Sequence, residues 1–320
     1  MIVYFIYFIA LVFFINFTFS QEINEGIRLF DENKFEQAEV IFKKLLEKNE
    51  KDLKVKEYLG DIAAYQKKWD KAIRIYKDLL EADDKSAEYH YKYGGALGLK
   101  AQKLSKIKAL GYLGDIKYHL NKAAELDKNH IDVRWALVEL YVVLPGIVGG
   151  SEKKALMYAN QLQKISDVDG YLAKGYVAEY NDKPELAEKH YRKAIEIGGS
   201  IHTYEKLSEL YEKNNKPSEA ISNYETAHKL YNRNHLNYQV GKVCAQYNIQ
   251  LDKGLKCLNI YIENHSAKDG VSKSWAYFRI AQIYRHKNDK KNAYNWINKA
   301  LIEKPDFKEA KAEKQQILKM

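Results

Sequence analysis

The sequence predicts an all-α chain: a right-handed α-solenoid of stacked helix–turn–helix units, with an N-terminal signal segment and a C-terminal capping helix. Three observations predict it. Small residues recur 33 or 34 positions apart, at Gly26, Gly60 and Gly94 and again at Gly175, Ser208 and Gly241. An alanine follows the small position by twelve and a bulky residue by sixteen. The sets are Gly26/Ala38/Phe42, Gly60/Ala72/Tyr76, Gly175/Ala187/Tyr191, Ser208/Ala220/Tyr224 and Ala281/Ala293/Ile297. A polar turn separates each small residue from its alanine: DENK, QKKWD, EYNDKP, EKNNKP and HKND. A period of this length is one helix–turn–helix unit. Small positions let two helices approach closely, and the bulky residue one turn beyond the alanine fills the space above them, because i and i+4 share a helix face.

The elements follow in order. Residues 1–20, MIVYFIYFIALVFFINFTFS, carry no charged side chain, and a polar chain starts at Gln21. That is the pattern of a secretory signal peptide cut near Ser20–Gln21; an uncleaved run of this length is also long enough to anchor in a bilayer. Residues 21–305 are expected to form about eight units: 22–50, 53–84, 87–129, 130–167, 168–199, 200–233, 234–267 and 271–305. Residues 306–320, DFKEAKAEKQQILKM, read as the polar capping helix that an open-ended array requires.

The third and fourth units, 87–129 and 130–167, are longer than the rest. The third carries about ten extra residues, roughly three helical turns, within the basic run KAQKLSKIKALGYLGD. The fourth carries five, in YVVLPGIVGGSEKKA, where Pro145 stops a helix and Ser151 is placed to cap the next. Paired glycines before a helix can cradle phosphate. Here, however, the order is Gly-Gly-Ser after a helix rather than Gly-Lys-Ser/Thr after a strand, and Glu152 would compete with an anion. The stretch reads as a lengthened connection.

These recurring positions resemble the tetratricopeptide-repeat family over roughly residues 22–305. Residues 91–157 further resemble a branch of exported bacterial tetratricopeptide proteins. In that branch a long insertion precedes A-E-L-D, here Ala124, Glu125, Leu126 and Asp127. A helix then ends in a P-G-x-x-G-G-x-x-x-K-A pattern, here Pro145, Gly146, Gly149, Gly150, Lys154 and Ala155. The resemblance implies the fold and export, and implies no reaction.

The rest of the sequence points away from catalysis. Nine histidines include no His-x-x-x-His spacing, no Cys-x-x-Cys is present, and no Gly-x-Ser-x-Gly elbow exists. No catalytic residue, metal site or cofactor is therefore expected. Cys244 and Cys257 read as two buried thiols, or as one bridge in an oxidising compartment. Net charge is +9, and residues 92–122 hold seven lysines against one aspartate. In an exported chain such a block suits an acidic protein or peptide partner, phospholipid headgroups or anionic glycans rather than nucleic acid. Membrane contact is expected only where the N-terminal segment stays uncleaved. First helices of stacked units line a concave face, and this places Tyr91, Tyr176, Tyr180, Tyr238, Lys242, Phe278 and Arg285 at a partner groove. Lys100, Lys103, Lys106 and Lys108, on the insertion, are expected to add attraction for an acidic partner. The Lys–Asn pairing that grips a C-terminal carboxylate in some members of the family is missing from the corresponding positions. The reading is a non-enzymatic adaptor or scaffold of the cell envelope; the alternatives are a periplasmic glycan or peptide carrier and a membrane-anchored sensor domain.

Overall fold

A computed structural model describes residues 21–320, so the signal segment expected at 1–20 lies outside the described residues. Helices α1 to α5 are residues 21–31, Phe35–Lys48, Leu53–Tyr65, Trp69–Ala82 and Ala87–Ala101. Then come α6 (Lys106–Leu110), α7 (Leu113–Leu126), α8 (Ile131–Val143), α9 (Glu152–Ile165), α10 (Asp167–Tyr180), α11 (Pro184–Glu196) and α12 (Ile201–Lys213). The chain continues through α13 (Pro217–Tyr231), α14 (Asn234–Tyr247), α15 (Leu251–Glu263), α16 (Lys273–His286), α17 (Lys290–Glu303) and α18 (Lys308–Leu318). The described residues contain no strand. Two compact units divide the described residues, with the boundary between Leu140 and Tyr141, inside α8.

Local chemistry sets the helix ends. Asp52 and Ser86 accept the backbone N–H groups of Val55 and Tyr89 and so cap α3 and α5. Pro184 and Pro217 occupy first turns, where no intrahelical N–H is needed. Turns inside the helix pairs place Asn33, Lys67, Asp182, Asn215, Asn248 and Asn288 at positive φ, and the turn at Asn248 adds Gln250. Asparagine and aspartate tolerate this conformation better than other residues with a Cβ.

In the first unit, α2 packs on α3, α3 on α4, α4 on α5 and α5 on α7. Leu29, Ala38, Phe42, Leu45, Val55 and Ile62 form one core, and Ala63, Ala72, Tyr76, Leu79 and Ala96 form the next. Gly60 shows why the small position matters. A Cβ there would lie 2.6 Å from Tyr76 Cε1, closer than any side chain can tolerate. The third-unit insertion is not a long helical extension. Ser105 and Gly111 bracket a separate five-residue helix, α6, that buries no side chain. After it, Arg134 is 2% exposed and donates to the carbonyls of Ala124, Asp127 and His130. It thereby satisfies one carbonyl in the last turn of α7 and two in the connection that leads to α8.

In the second unit, consecutive helices from α9 to α18 pack against one another, with α14 also against α16. The connection ahead of α9 closes on itself. A 3₁₀ turn spans Gly146–Val148, and Gly149 takes φ +94°. The N–H groups of Val148 and Gly150 donate to Pro145 O, that of Gly149 to Gly146 O, and that of Ser151 to Tyr141 O. Four successive amides, from Val148 to Ser151, are already engaged, which fits a connecting loop. Ser151 caps α9 by accepting the Lys154 N–H. At the far end, Phe307, Ala310 and Ile317 bury one face of the C-terminal segment against Phe278, Ala281, Ala293 and Ile297.

Candidate partner-binding face

The first helices of the second unit, α10, α12, α14 and α16, are tied side by side by polar pairs. Glu179 meets Lys213 at 3.5 Å, Glu205 meets His235 at 3.0 Å, and Glu212 meets Lys242 at 3.1 Å. Arg279 hydrogen-bonds Tyr238. Second-helix tyrosines brace the same carboxylates from behind: the hydroxyl of Tyr191 donates to Glu179 at 3.0 Å, and that of Tyr224 to Glu212 at 3.1 Å. Burial, then the adjoining carboxylates, push both phenols well above their ordinary range. They stay protonated and remain donors.

The sequence-predicted residues divide by their surroundings. Tyr238 and Phe278 are each 5% exposed and belong to the core of the second unit. Their place is packing between helices, because the small residue three positions on brings the neighbouring helix over them. Lys242 and Arg285 are half-buried and already neutralised, by Glu212 and by Glu313 at 2.5 Å. Tyr176 is half-buried and its ring lies 6.5 Å from that of Tyr180. Tyr180 is 51% exposed and offers its ring to solvent. Tyr91 belongs to the first unit, half-buried with its ring edge-on to His130, and burial pushes its phenol up to about 12. The structure therefore gathers the second-unit residues on one run of helices, but leaves only Tyr180 of them openly presented.

The insertion lysines are arranged differently. Lys100 pairs with Asp70 and lies over the ring of Tyr112. Lys103, Lys106 and Lys108 are exposed, and none forms an ion pair among the described residues.

Sequence reasoning missed Arg279. Its guanidinium lies 5.0 Å from the Phe278 ring centroid and 6.0 Å from that of Trp275, and it donates to Gln282 Oε1 at 2.8 Å. It forms no ion pair among the described residues, unlike Lys242 and Arg285. A guanidinium held by aromatic faces and neutral acceptors has no internal carboxylate to balance its charge, and so favours one brought by a partner. The available signal was the run W-x-x-F-R, which puts Trp275 one turn from Arg279.

The second partnership to emerge lies in the first unit. Lys92 reaches Glu57 at 2.5 Å, Asp61 at 2.7 Å and Glu88 at 3.5 Å. Tyr76 donates to Asp61 at 2.7 Å, and His130 meets Glu88 at 3.1 Å. Three carboxylates here are consumed by the Lys92 ammonium, a phenol and an imidazole, with the Lys54 ammonium also 3.4 Å from Glu57. Among the described residues, no group of three or more histidine, cysteine, aspartate or glutamate side chains is placed to hold a metal ion. Cys244 and Cys257 are both free thiols, and burial pushes Cys244 up to about 12.

Tetratricopeptide-repeat patterns match residues 29–94, and a second such pattern matches residues 168–197 and 276–312. A tetratricopeptide repeat protein from Parabacteroides merdae is 14% identical in sequence, with a TM-score of 0.51 over 94% of this chain and 98% of its own. The Cut9–Hcn1 hetero-tetramer of the APC/C gives a chain 14% identical, with a TM-score of 0.50 over 92% of this chain and 55% of its own. YrrB, described as a tetratricopeptide-repeat protein with an unusual peptide-binding site, is 20% identical, with a TM-score of 0.44 over 61% of this chain and 97% of its own. No curated protein matches the sequence.

Proposed function

We propose that this tetratricopeptide-repeat protein is a non-catalytic adaptor of the cell envelope. In this reading an extended segment of a partner protein lies along α10, α12, α14 and α16. An aromatic or apolar side chain of that segment meets Tyr180 and Tyr176, and an acidic one meets Arg279. The observation that supports this most is the uncancelled Arg279 charge, set among aromatic rings on the same run of helices where Lys213, Lys242 and Arg285 already face internal carboxylates. Such a site favours a partner that brings its own carboxylate, and disfavours a neutral one, which would leave the guanidinium desolvated without compensation. Envelope placement rests on the leader-like residues 1–20.

A photo-crosslinking amino acid at position 180, introduced in intact cells, tests the reading. Ile302 on α17, which is 80% exposed, serves as the control position. A discrete protein adduct at 180 and none at 302 is the expected result. A carbohydrate adduct at 180 would make the protein a carrier instead, and equal labelling at the two positions would remove the face from the account.

A further inference from the structure

The connection between α5 and α7 has chemistry that the adaptor reading leaves unused. Ile107 is 84% exposed and Leu110 is 51% exposed. They stand three residues apart on α6 and so share a face. Lys106 and Lys108 flank Ile107, and Lys103 precedes the helix. From Gln102 to Tyr112 there is no acidic residue, and none of these three lysines forms an ion pair among the described residues. Lys100, one turn earlier on α5, is the one that Asp70 neutralises.

We propose that α6 docks the protein on an anionic lipid surface. The lysine ammonium groups meet the headgroup phosphates, while Ile107 and Leu110 enter the boundary beneath them. Charge complementarity alone would equally admit an acidic protein segment, which is what the lysines suggest in the sequence. The exposed isoleucine separates the two. An acidic segment neutralises the lysines but leaves Ile107 in water, and a lone five-residue helix supplies no groove to cover it. A bilayer surface accepts both at once: long lysine stems reach back to the phosphate plane while the apolar side chains between them are buried. A single such side chain is a weak anchor, so the lysines carry much of the attraction, and association is steeply salt-dependent. This surface belongs to the first unit and shares no residue with the face that carries the adaptor reading, so either proposal can fail without the other.

Vesicle co-sedimentation of the full chain tests it, using phosphatidylcholine vesicles with and without phosphatidylglycerol. The apolar segment 1–20 contributes to both arms alike, because it carries no side-chain charge; the difference between the arms reports the lysines. The wild type is expected to prefer the anionic vesicles. Lys103→Gln, Lys106→Gln and Lys108→Gln together should reduce that preference by about fivefold for each lysine, on the order of a hundredfold in all. Ile107→Ser should weaken anionic-vesicle binding while leaving the far-ultraviolet circular dichroism unchanged. A control carrying Lys308→Gln, Lys311→Gln and Lys319→Gln has the same net charge as the α6 triple variant and should keep the wild-type preference. The proposal is overturned by a control that loses as much as the α6 variant, by an α6 variant that binds like the wild type, or by polyglutamate that competes fully and leaves Ile107→Ser indistinguishable from the wild type.

Discussion

Tyr191 on α11 closes over Gly175 on α10 so tightly that a Cβ at 175 would lie 2.3 Å from the tyrosine Cε1. The same side chain then donates its hydroxyl to Glu179, one turn further along α10. One residue thus seals the helix pair with its ring and fixes a carboxylate of the candidate face with its hydroxyl. Gly175→Ala is expected to force the helices apart at a cost of about 1–3 kcal/mol, typical of overpacking in a close-packed core. Tyr191→Phe keeps the ring and should cost about 1 kcal/mol, the net worth of one hydrogen bond. Urea unfolding monitored by circular dichroism checks both, and the order of the two variants is the informative result.

Lys67 occupies the left-handed turn position that asparagine or aspartate fills in the turns at 33, 182, 215, 248 and 288. Its side chain is exposed, so a substitution there changes backbone strain and little else. Lys67→Asn or Lys67→Gly is expected to raise stability by roughly 0.5–1 kcal/mol. Denaturation midpoints of the two variants against the wild type provide the check.

Arg134 is a buried cation that donates to the backbone carbonyls of Ala124, Asp127 and His130, between the end of α7 and the start of α8. Arg134→Ala opens a cavity and strands those acceptors, at an expected cost of about 3 kcal/mol. Arg134→Met refills much of the space without restoring the donors, so it should recover only part of the loss. Thermal unfolding of the pair separates packing from hydrogen bonding.

Acid should destabilise the protein. Burial, and then the facing His90, hold the His119 imidazole below its ordinary value of 6.5; its Nδ1 lies 2.8 Å from that of His90. Burial also lowers His190 and His286. For each of these the unfolded chain binds a proton before the folded one does, so their contribution is complete above pH 6.5 and declines as the pH falls below it. His130 acts in the opposite sense. Its hydrogen bond to Glu88 raises it, so its contribution is complete below pH 6.5 and is lost as the pH rises through its folded value. Three groups outweigh one, and the melting temperature is expected to fall between pH 7.5 and pH 5.5. His119→Asn should flatten that fall, and His130→Asn should steepen it.

How much of this could be read in advance depends on the range of the interaction. The pairing of Gly60 with Tyr76 and of Gly175 with Tyr191 was legible because each partner recurs at a fixed offset within one unit, and the turn residues were legible because positive φ selects asparagine. The insertion was legible as extra length but not as a separate helix, although Ser105 and Gly111 are the punctuation that breaks it. The occupancy of the candidate face was the least legible part. Whether Lys242 and Arg285 are free depends on Glu212 and Glu313, about thirty residues away in each case, and no local pattern announces such a partner. Tyr238 and Phe278 carry the residue types of a binding face, yet the neighbouring helices cover them. Arg279 was overlooked for the converse reason: the lack of an acidic neighbour in space leaves no mark on the local sequence.

The most direct measurement is the dissociation constant of the partner segment recovered by crosslinking at position 180, determined for the wild type, Arg279→Gln and Lys308→Gln at matched helicity. The expected result is at least about a tenfold loss for Arg279→Gln, the worth of a hydrogen bond to a charged group, and no change for Lys308→Gln. Equal affinity of all three proteins would contradict the claim that the first-helix face of the second unit holds the partner through Arg279.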